Sequence, residues 1–312
     1  MGTSISTLAL DIASKESILA ARVRLAPLAK FAKSFADAEG EVGDTVKVPV
    51  FTRGVAAEFH ASNNNYTTAS SAGVAGVSIS LNKHPWESRR LLPDDVMETN
   101  VGKDWVGQVT KACVDSVAAY MVNETLVGVL KDAASAGSTG HVTALTISGN
   151  TALAKVAKMR KDAIAAGIDP MQATLLLPSG LYTDLLAELP FNALGAEKAI
   201  VDGAVERLFG FGYIAELQGA VTYTNSSSKL VTLDAAIVAN DALAVASRLP
   251  IVQNADLYDV ADVKAEEIGG FSIRVRSTGS NSVDAKFLGA EVIFGWKMLQ
   301  PGKILVASTT AT

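Results

Sequence analysis

A chain of 312 residues with 49% hydrophobic and 19% charged residues is long enough for a sizeable core and too apolar for a disordered segment. Its net charge of −5 excludes binding to nucleic acid through one strongly basic surface, and leaves room only for local basic patches. The single cysteine, Cys113, excludes an intrachain disulfide and a thiolate zinc site. No run approaches ~18 uncharged apolar residues, and the opening Met1-Gly2-Thr3-Ser4-Ile5-Ser6 lacks the charged and apolar regions of a signal peptide. Gly2 with Ser6 meets only a loose myristoylation pattern.

In chain order, Ser14 to Ala38 is predicted helical, with Ile18, Leu19, Val23, Leu28, Phe31 and Phe35 apolar, and with a kink or break at Pro27. Glu39 to Asp44 is a stop-and-turn cluster. Thr45 to Phe51 alternates as a half-buried strand, with Val46, Val48 and Val50 on one face. Ala61 to Gly76 is too rich in Asn, Ser, Gly and Ala to pack a core and is predicted to be a loop tip. Val77, Ile79 and Leu81 bring the chain back as a second strand, and Lys83 to Leu92 is a transition. Such strands around such a tip are not expected to bury themselves on their own subunit; they form an arm that needs a neighbour.

A helix is predicted from Asp94 to Ala134, opened by Pro93, with Asp94 and Asp95 at the positive end of its dipole. Val101, Trp105, Val109, Cys113, Val117 and Met121 make an apolar stripe, widened by Val106, Ala112 and Tyr120. Gly102 and Gly107 are expected to allow a bend. Beyond Ala136 to Gly140 the texture alternates: helix Thr151–Ala166 closed by Gly167, strand Ala173–Leu177, helix Ser179–Leu189, and strands at Val221–Tyr223, Leu230–Leu233 and Ala242–Ser247. Two alternating segments, Gly270–Arg276 and Lys286–Ile293, end in Phe294-Gly295-Trp296, and Ile304–Val306 adds a last strand.

This order of elements resembles the tailed-phage major capsid proteins of the Hong Kong phage 97-like fold. The resemblance is carried by Gly43-Asp44-Thr45-Val46-Lys47-Val48-Pro49 opening the extended segment and by the long helix from Asp94. Thr174-Leu175-Leu176-Leu177-Pro178-Ser179-Gly180-Leu181-Tyr182 and the stretch Val283 to Lys297, with Leu288-Gly289-Ala290-Glu291-Val292, complete it. It implies an α+β chain with an N-terminal arm (1–44), an extended β-hairpin loop (45–91), a spine helix with the first part of a peripheral domain (92–145), an α/β axial domain (146–254), the second part of the peripheral domain (255–300) and a C-terminal strand and tail (301–312). It also implies a non-enzymatic subunit that assembles with itself into pentamers and hexamers of an icosahedral shell. Its expected partners are a separate scaffolding protein, a portal and packaged double-stranded DNA touched weakly by the inner face. Its expected location is the virion, assembled in the host bacterial cytoplasm with no membrane. The alternatives are an encapsulin-like nanocompartment shell and an enzyme built on the middle α/β segment; a surface-layer protein fits less well without a signal peptide.

No catalytic, cofactor or metal residues are assigned. Gly210-Phe211-Gly212-Tyr213-Ile214-Ala215, with Asp234 further on, matches a dinucleotide fingerprint, but Glu206 and Arg207 interrupt any strand before it and Gln218-Gly219 any helix after it, so a glycine-rich turn is expected. Ser179 lacks the glycine two places earlier that a nucleophile elbow needs, and is expected to cap a helix. His60, His84 and His141 have no ligand-like spacing and are expected in loops or on the surface. Asp94, Asp95 and Glu98 belong to a helix start. Asn65-Tyr66-Thr67 and Asn225-Ser226-Ser227 fit a glycosylation sequon that has no secretory signal behind it. Arg22, Arg24, Lys30 and Lys33 are a solvated helix face or an inner contact with scaffold or DNA. Arg89 and Arg90 are candidates to bridge to acidic neighbours, and Lys47 and Lys83 flank the extended loop. Cys113 is expected to be a small buried hydrophobe.

Overall fold

A computed structural model describes residues 7–51, 74–91, 102–134, 143–189, 208–251, 258–263, 270–280 and 285–311. Helix α1 runs Thr7–Phe31 and keeps Pro27 inside it, so the chain is not split there. Leu25, Leu28 and Phe31 are fully buried on either side of the proline, and their packing outweighs its missing N–H. The helix stops earlier than its apolar spacing predicts. Ala32–Gly40 is strand β1, laid parallel to β10 (Leu243–Pro250), with Ala32 opposite Leu243 and Phe35 opposite Ala246. A partner so distant in sequence overrides a local helical pattern.

The turn before the arm is closed locally. The Glu41 N–H donates to the Asp44 carboxylate, and Gly43 adopts φ +102°, which favours glycine. Strands β2 (Thr45–Phe51) and β3 (Val74–Ser80) then pair antiparallel, from Thr45 opposite Ser80 to Phe51 opposite Val74. The expected alternation holds. The expected lack of burial does not: Val48 and Ile79 are each 1% exposed, packed with Leu81, Ala244, Ala246 and Ile293. The root of the arm is thus seated on its own subunit. Residues 52–73, most of the predicted tip, lie outside the described residues, and Val74 to Gly76 are strand rather than tip. Within the predicted transition, Trp86–Leu91 is strand β4.

Helix α2 is described over Gly102–Ala134, unbroken across Gly107; its predicted start at Asp94 lies outside the described residues. Cys113, Val117 and Met121 are buried, and Val109 packs against the same core. The side chains of Val101, Trp105 and Val106 lie outside the described residues. Ala112 and Tyr120 do not widen the stripe: both face outward, and Tyr120 sets its ring edge-on to Phe294 at 6.3 Å between centroids. Gly107–Ala133 is apolar and long enough to cross a bilayer, but most of it is buried inside the protein. It has the signature of a core helix.

Burial also governs Cys113. The thiol is pushed up to about 11, chiefly by desolvation, and its Sγ points at the Leu288 carbonyl 3.8 Å away. A thiol-specific reagent at pH 8 is expected to leave the native protein unlabelled and to react once denaturant is added; rapid native labelling would place Cys113 outside the core. Because the folded value lies above the ordinary one, the thiol's contribution to stability is present below about 9 and is lost as the pH rises toward 11.

The remaining elements build three larger sheets beside the hairpin. The six-stranded one has the order β5-β15-β9-β6-β7, with β8 also on β9. Its strands are β5 (Thr143–Ala144), β6 (Ala173–Pro178), β7 (Tyr213–Leu217), β8 (Thr222–Thr224), β9 (Leu230–Ala239) and β15 (Ile304–Thr310). Helices α3 (Ala152–Ala165) and α4 (Ser179–Glu188) pack against each other beside it. Strand β9 runs six residues beyond its predicted end at Leu233, because Ala235 to Ala239 are buried and so show no alternation to read. The second sheet is β1-β10-β14, and the third is β11-β12-β13-β4. The strands not yet placed are β11 (Tyr258–Val263), β12 (Ile273–Ser280), β13 (Ala285–Glu291) and β14 (Ile293–Met298). Strand β11 was not predicted. Phe294 to Trp296 form the separate strand β14, not the end of β13.

Candidate assembly surfaces

The hairpin root is held from three sides. Leu81 accepts from Gly43 N–H and donates its own N–H to the Asp44 carbonyl, which closes the base of the arm. Lys83 and Phe294 exchange both backbone hydrogen bonds at 2.8 and 3.1 Å, tying the returning chain to β14. The Lys83 ammonium lies 2.6 Å from Glu124 on α2, and that bond raises its pKa above the ordinary lysine value. Lys83 is therefore engaged in its own subunit, whereas Lys47 on β2 is exposed. Gly295 on β14 is where β3 crosses closest, for a Cβ there would overlap the Ser80 carbonyl.

His84 is an exposed loop histidine, as expected, but it has a partner. Its Nε2 lies 3.1 Å from the carboxylate of Glu291, which is 2% exposed, and Arg276 approaches the other oxygen at 3.2 Å. Arg276 from β12 and His84 from the hairpin root thus flank one buried carboxylate. Asp44 completes the root, 3.8 Å from Arg248 on β10.

The basic residues of α1 divide. Arg24 reaches across to α2, its Nε 2.6 Å from Asp115, which raises the guanidinium pKa; it joins two helices and is not a solvated cation. Lys30 lies over the Tyr213 ring at 5.4 Å and Lys33 over Phe35 at 5.7 Å, both still exposed, as is Arg22. Arg89 pairs with Glu87 on its own strand at 3.0 Å, and Arg90 faces outward. Between α1, α2 and the β7–β8 connection lies a cavity of about 430 Å³, lined by Pro27, Tyr120, Leu126 and Leu217 among others.

The chemical look-alikes resolve as turns and junctions. Phe209 and Gly210 both have positive φ, at 52° and 78°, and the chain enters strand β7 at Tyr213, where a dinucleotide site needs a helix. Asp234 lies within β9, hydrogen-bonded by Thr309. Ser179 is the first residue of α4 and not its cap; Pro178 holds the cap position, and the Ser179 hydroxyl donates to Glu216. Asn225 accepts the N–H groups of Ser227 and Lys229 and closes a turn. His60, His141, Asn65, Asp94, Asp95 and Glu98 lie outside the described residues. Among the described residues, no group of three His, Cys, Asp or Glu side chains is placed to hold a metal ion.

No protein-family model matches this sequence, and no curated protein does. Solved structures do. The capsid of Ralstonia phage GP4 aligns with a TM-score of 0.56 at 10% identity, over 90% of this chain and 87% of that one. A chain of Gordonia phage Cozz aligns at 0.53 with 14% identity, over 92% and 87%. The capsid of an empty GTA particle aligns at 0.53 with 14% identity, over 92% and 90%. The fold is a phage capsid fold. That overall fold is shared at only 10% to 14% identity.

Proposed function

We propose that this chain is the major shell subunit of a tailed double-stranded DNA bacteriophage, with the Hong Kong phage-type plan of arm, extended loop, spine helix, peripheral domain and axial domain. The supporting observation is the hairpin: its root is built into the subunit at Val48, Ile79 and Leu81, while residues 52–73 continue from the ends of β2 and β3. On this reading residues 1–44 are the N-terminal arm, 45–91 the extended loop, 92–145 and 255–300 the two parts of the peripheral domain, 146–254 the axial domain and 301–312 the closing strand and tail. Strand β15 joins the axial sheet beside β9, and β10 joins β1 and β14, so neighbouring regions share strands. The role is structural. Subunits form pentamers and hexamers that close into a shell, guided by a separate scaffolding protein and a portal, and the inner face touches DNA weakly. Assembly takes place in the host cytoplasm and the product is the virion. A specific interface typically buries ~1,600 Å², and many such contacts per subunit make a stable shell from moderate ones.

The first test is negative-stain electron microscopy with sedimentation velocity on the purified protein. Closed shells or rings of five and six are expected, and co-purified enzyme cargo in place of DNA would redirect the reading to a nanocompartment. The second test deletes Ala61 to Gly73. Circular dichroism and the thermal midpoint are expected to stay near wild type while shells are lost, because the root packing is untouched; intact shells from the deletion would refute the arm.

A further inference from the structure

Helix α3 concentrates positive charge in a chain that is acidic overall. Lys155, Lys158, Arg160 and Lys161 fall within two turns, against the single acid Asp162. The helix buries Val156, Met159 and Ala163, which places Lys158 and Lys161 near the middle of the opposite, exposed face, flanked by the exposed Ala154 and Ala157. Small neighbours let another surface approach closely. Beside this face lie three exposed apolar side chains: Ile164 at 50%, Met171 at 74% and Phe209 at 37%. They are contiguous with it. A Cβ at Gly210, next to Phe209, would lie 3.8 Å from Arg160 Nε, and the Gly212 N–H bonds to the Pro170 carbonyl next to Met171.

A solvated basic helix face has no use for an exposed Met and Phe at its edge, and a phosphate backbone gains nothing from them. The combination fits a protein partner that is acidic and partly apolar. Helix α4, packed against α3, has that complementary character: its sequence holds Asp184 and Glu188 with no basic residue. Glu188 is used internally, since it accepts the N–H groups of Ala152 and Leu153, which hold it below the usual carboxylate range. Asp184 is exposed, and Glu216 lies at the α4 start, bonded to Ser179.

We propose that the basic and apolar face of α3 docks on the acidic α4 side of a second copy of this chain. Because the two surfaces differ, the contact is head-to-tail, and on the shell reading it closes into a ring. The inference rests on the shell reading and names the surface through which neighbours within one ring recognise each other. Opposite charges at its rim set register and partner choice, and Met171, Phe209 and Ile164 supply the apolar contact.

The test uses charge reversal and rescue in the full chain. Lys158→Glu with Lys161→Glu is expected to lower the assembled fraction at least tenfold in sedimentation velocity, with an unchanged circular dichroism spectrum. Adding Asp184→Lys to that double variant is expected to restore part of it. In wild-type assemblies made from mixed light and heavy-isotope subunits, a zero-length carbodiimide is expected to join Lys158 or Lys161 to Asp184 of a different copy. Wild-type assembly that the reversal leaves unaltered, or a reversal that Asp184→Lys does not rescue, overturns the docking and leaves the shell reading standing. A reversal that assembles normally but loses binding to a short DNA duplex assigns the face to nucleic acid and also overturns it. Wild-type protein that forms neither rings nor shells overturns the shell reading itself.

Discussion

Gly295→Val is expected to unseat the arm while leaving the two sheets that do not carry it largely intact. At Gly295 the backbone of β14 passes so close to β3 that even a methyl group would overlap the Ser80 carbonyl, and Ile79 lies alongside. Backbone cannot move aside as a flexible side chain can, so β3 must lift. Lifting β3 pulls Ile79 and Leu81 from the cluster they share with Val48, Ala244, Ala246 and Ile293. The loss is expected at about 3 kcal/mol, the upper range for overpacking a close-packed site. Chemical denaturation gives the size, and amide exchange gives the place: protection is expected to fall first at residues 45–51 and 74–83. A variant as stable as wild type, with the hairpin still protected, would mean that β3 and β14 do not cross here. Shell formation is expected to fail in the same variant even where the subunit remains folded, since the arm would leave at another angle.

Gly128→Ala offers a cleaner contest of magnitudes. On an exposed helix, replacing Gly by Ala stabilises by ~1 kcal/mol through propensity. In the middle of α2 the added Cβ would land within the indole of Trp296, which β14 presses against the helix. The indole is partly buried against the core beside α2, so the steric cost, ~1–3 kcal/mol, is expected to prevail and leave the variant about 1 kcal/mol less stable. The double variant Gly128→Ala, Trp296→Leu is expected to recover that loss relative to Trp296→Leu alone, with a coupling of at least ~1 kcal/mol in the double-mutant cycle. A stabilised single variant would show that propensity governs and that the ring does not rest on the helix.

Much of the architecture was legible because some elements carry their own signals. The alternation of Val46, Val48 and Val50, the four-residue recurrence of Cys113, Val117 and Met121, and the helix predicted from Thr151 to Ala166 are local patterns; the structure keeps each, the last as Ala152–Ala165. What failed was set by distant partners. Phe31 and Phe35 share helical spacing, but β10 draws Ala32–Gly40 into a strand from more than two hundred residues away. Likewise β4 is a strand only because β13 pairs with it, with Trp86 opposite Glu291. The partners of Arg24, Lys83 and His84 were not legible because Asp115, Glu124 and Glu291 are remote in sequence. No spacing rule joins them. Tyr120 was misassigned for a different reason: its neighbours Val117 and Met121 are core, and one position decides which way a helical side chain faces.

The place of β15 makes the largest sheet depend on one short segment. Residues 304–310 lie inside the six-stranded sheet, paired along β9 on one side and with β5 on the other. Without them β9 keeps β6 and β8 but loses its other neighbour, and the two-residue β5 is cut off from the sheet. Loss of residues 304–310 would therefore leave a row of unpaired β9 backbone groups open to a strand of another chain.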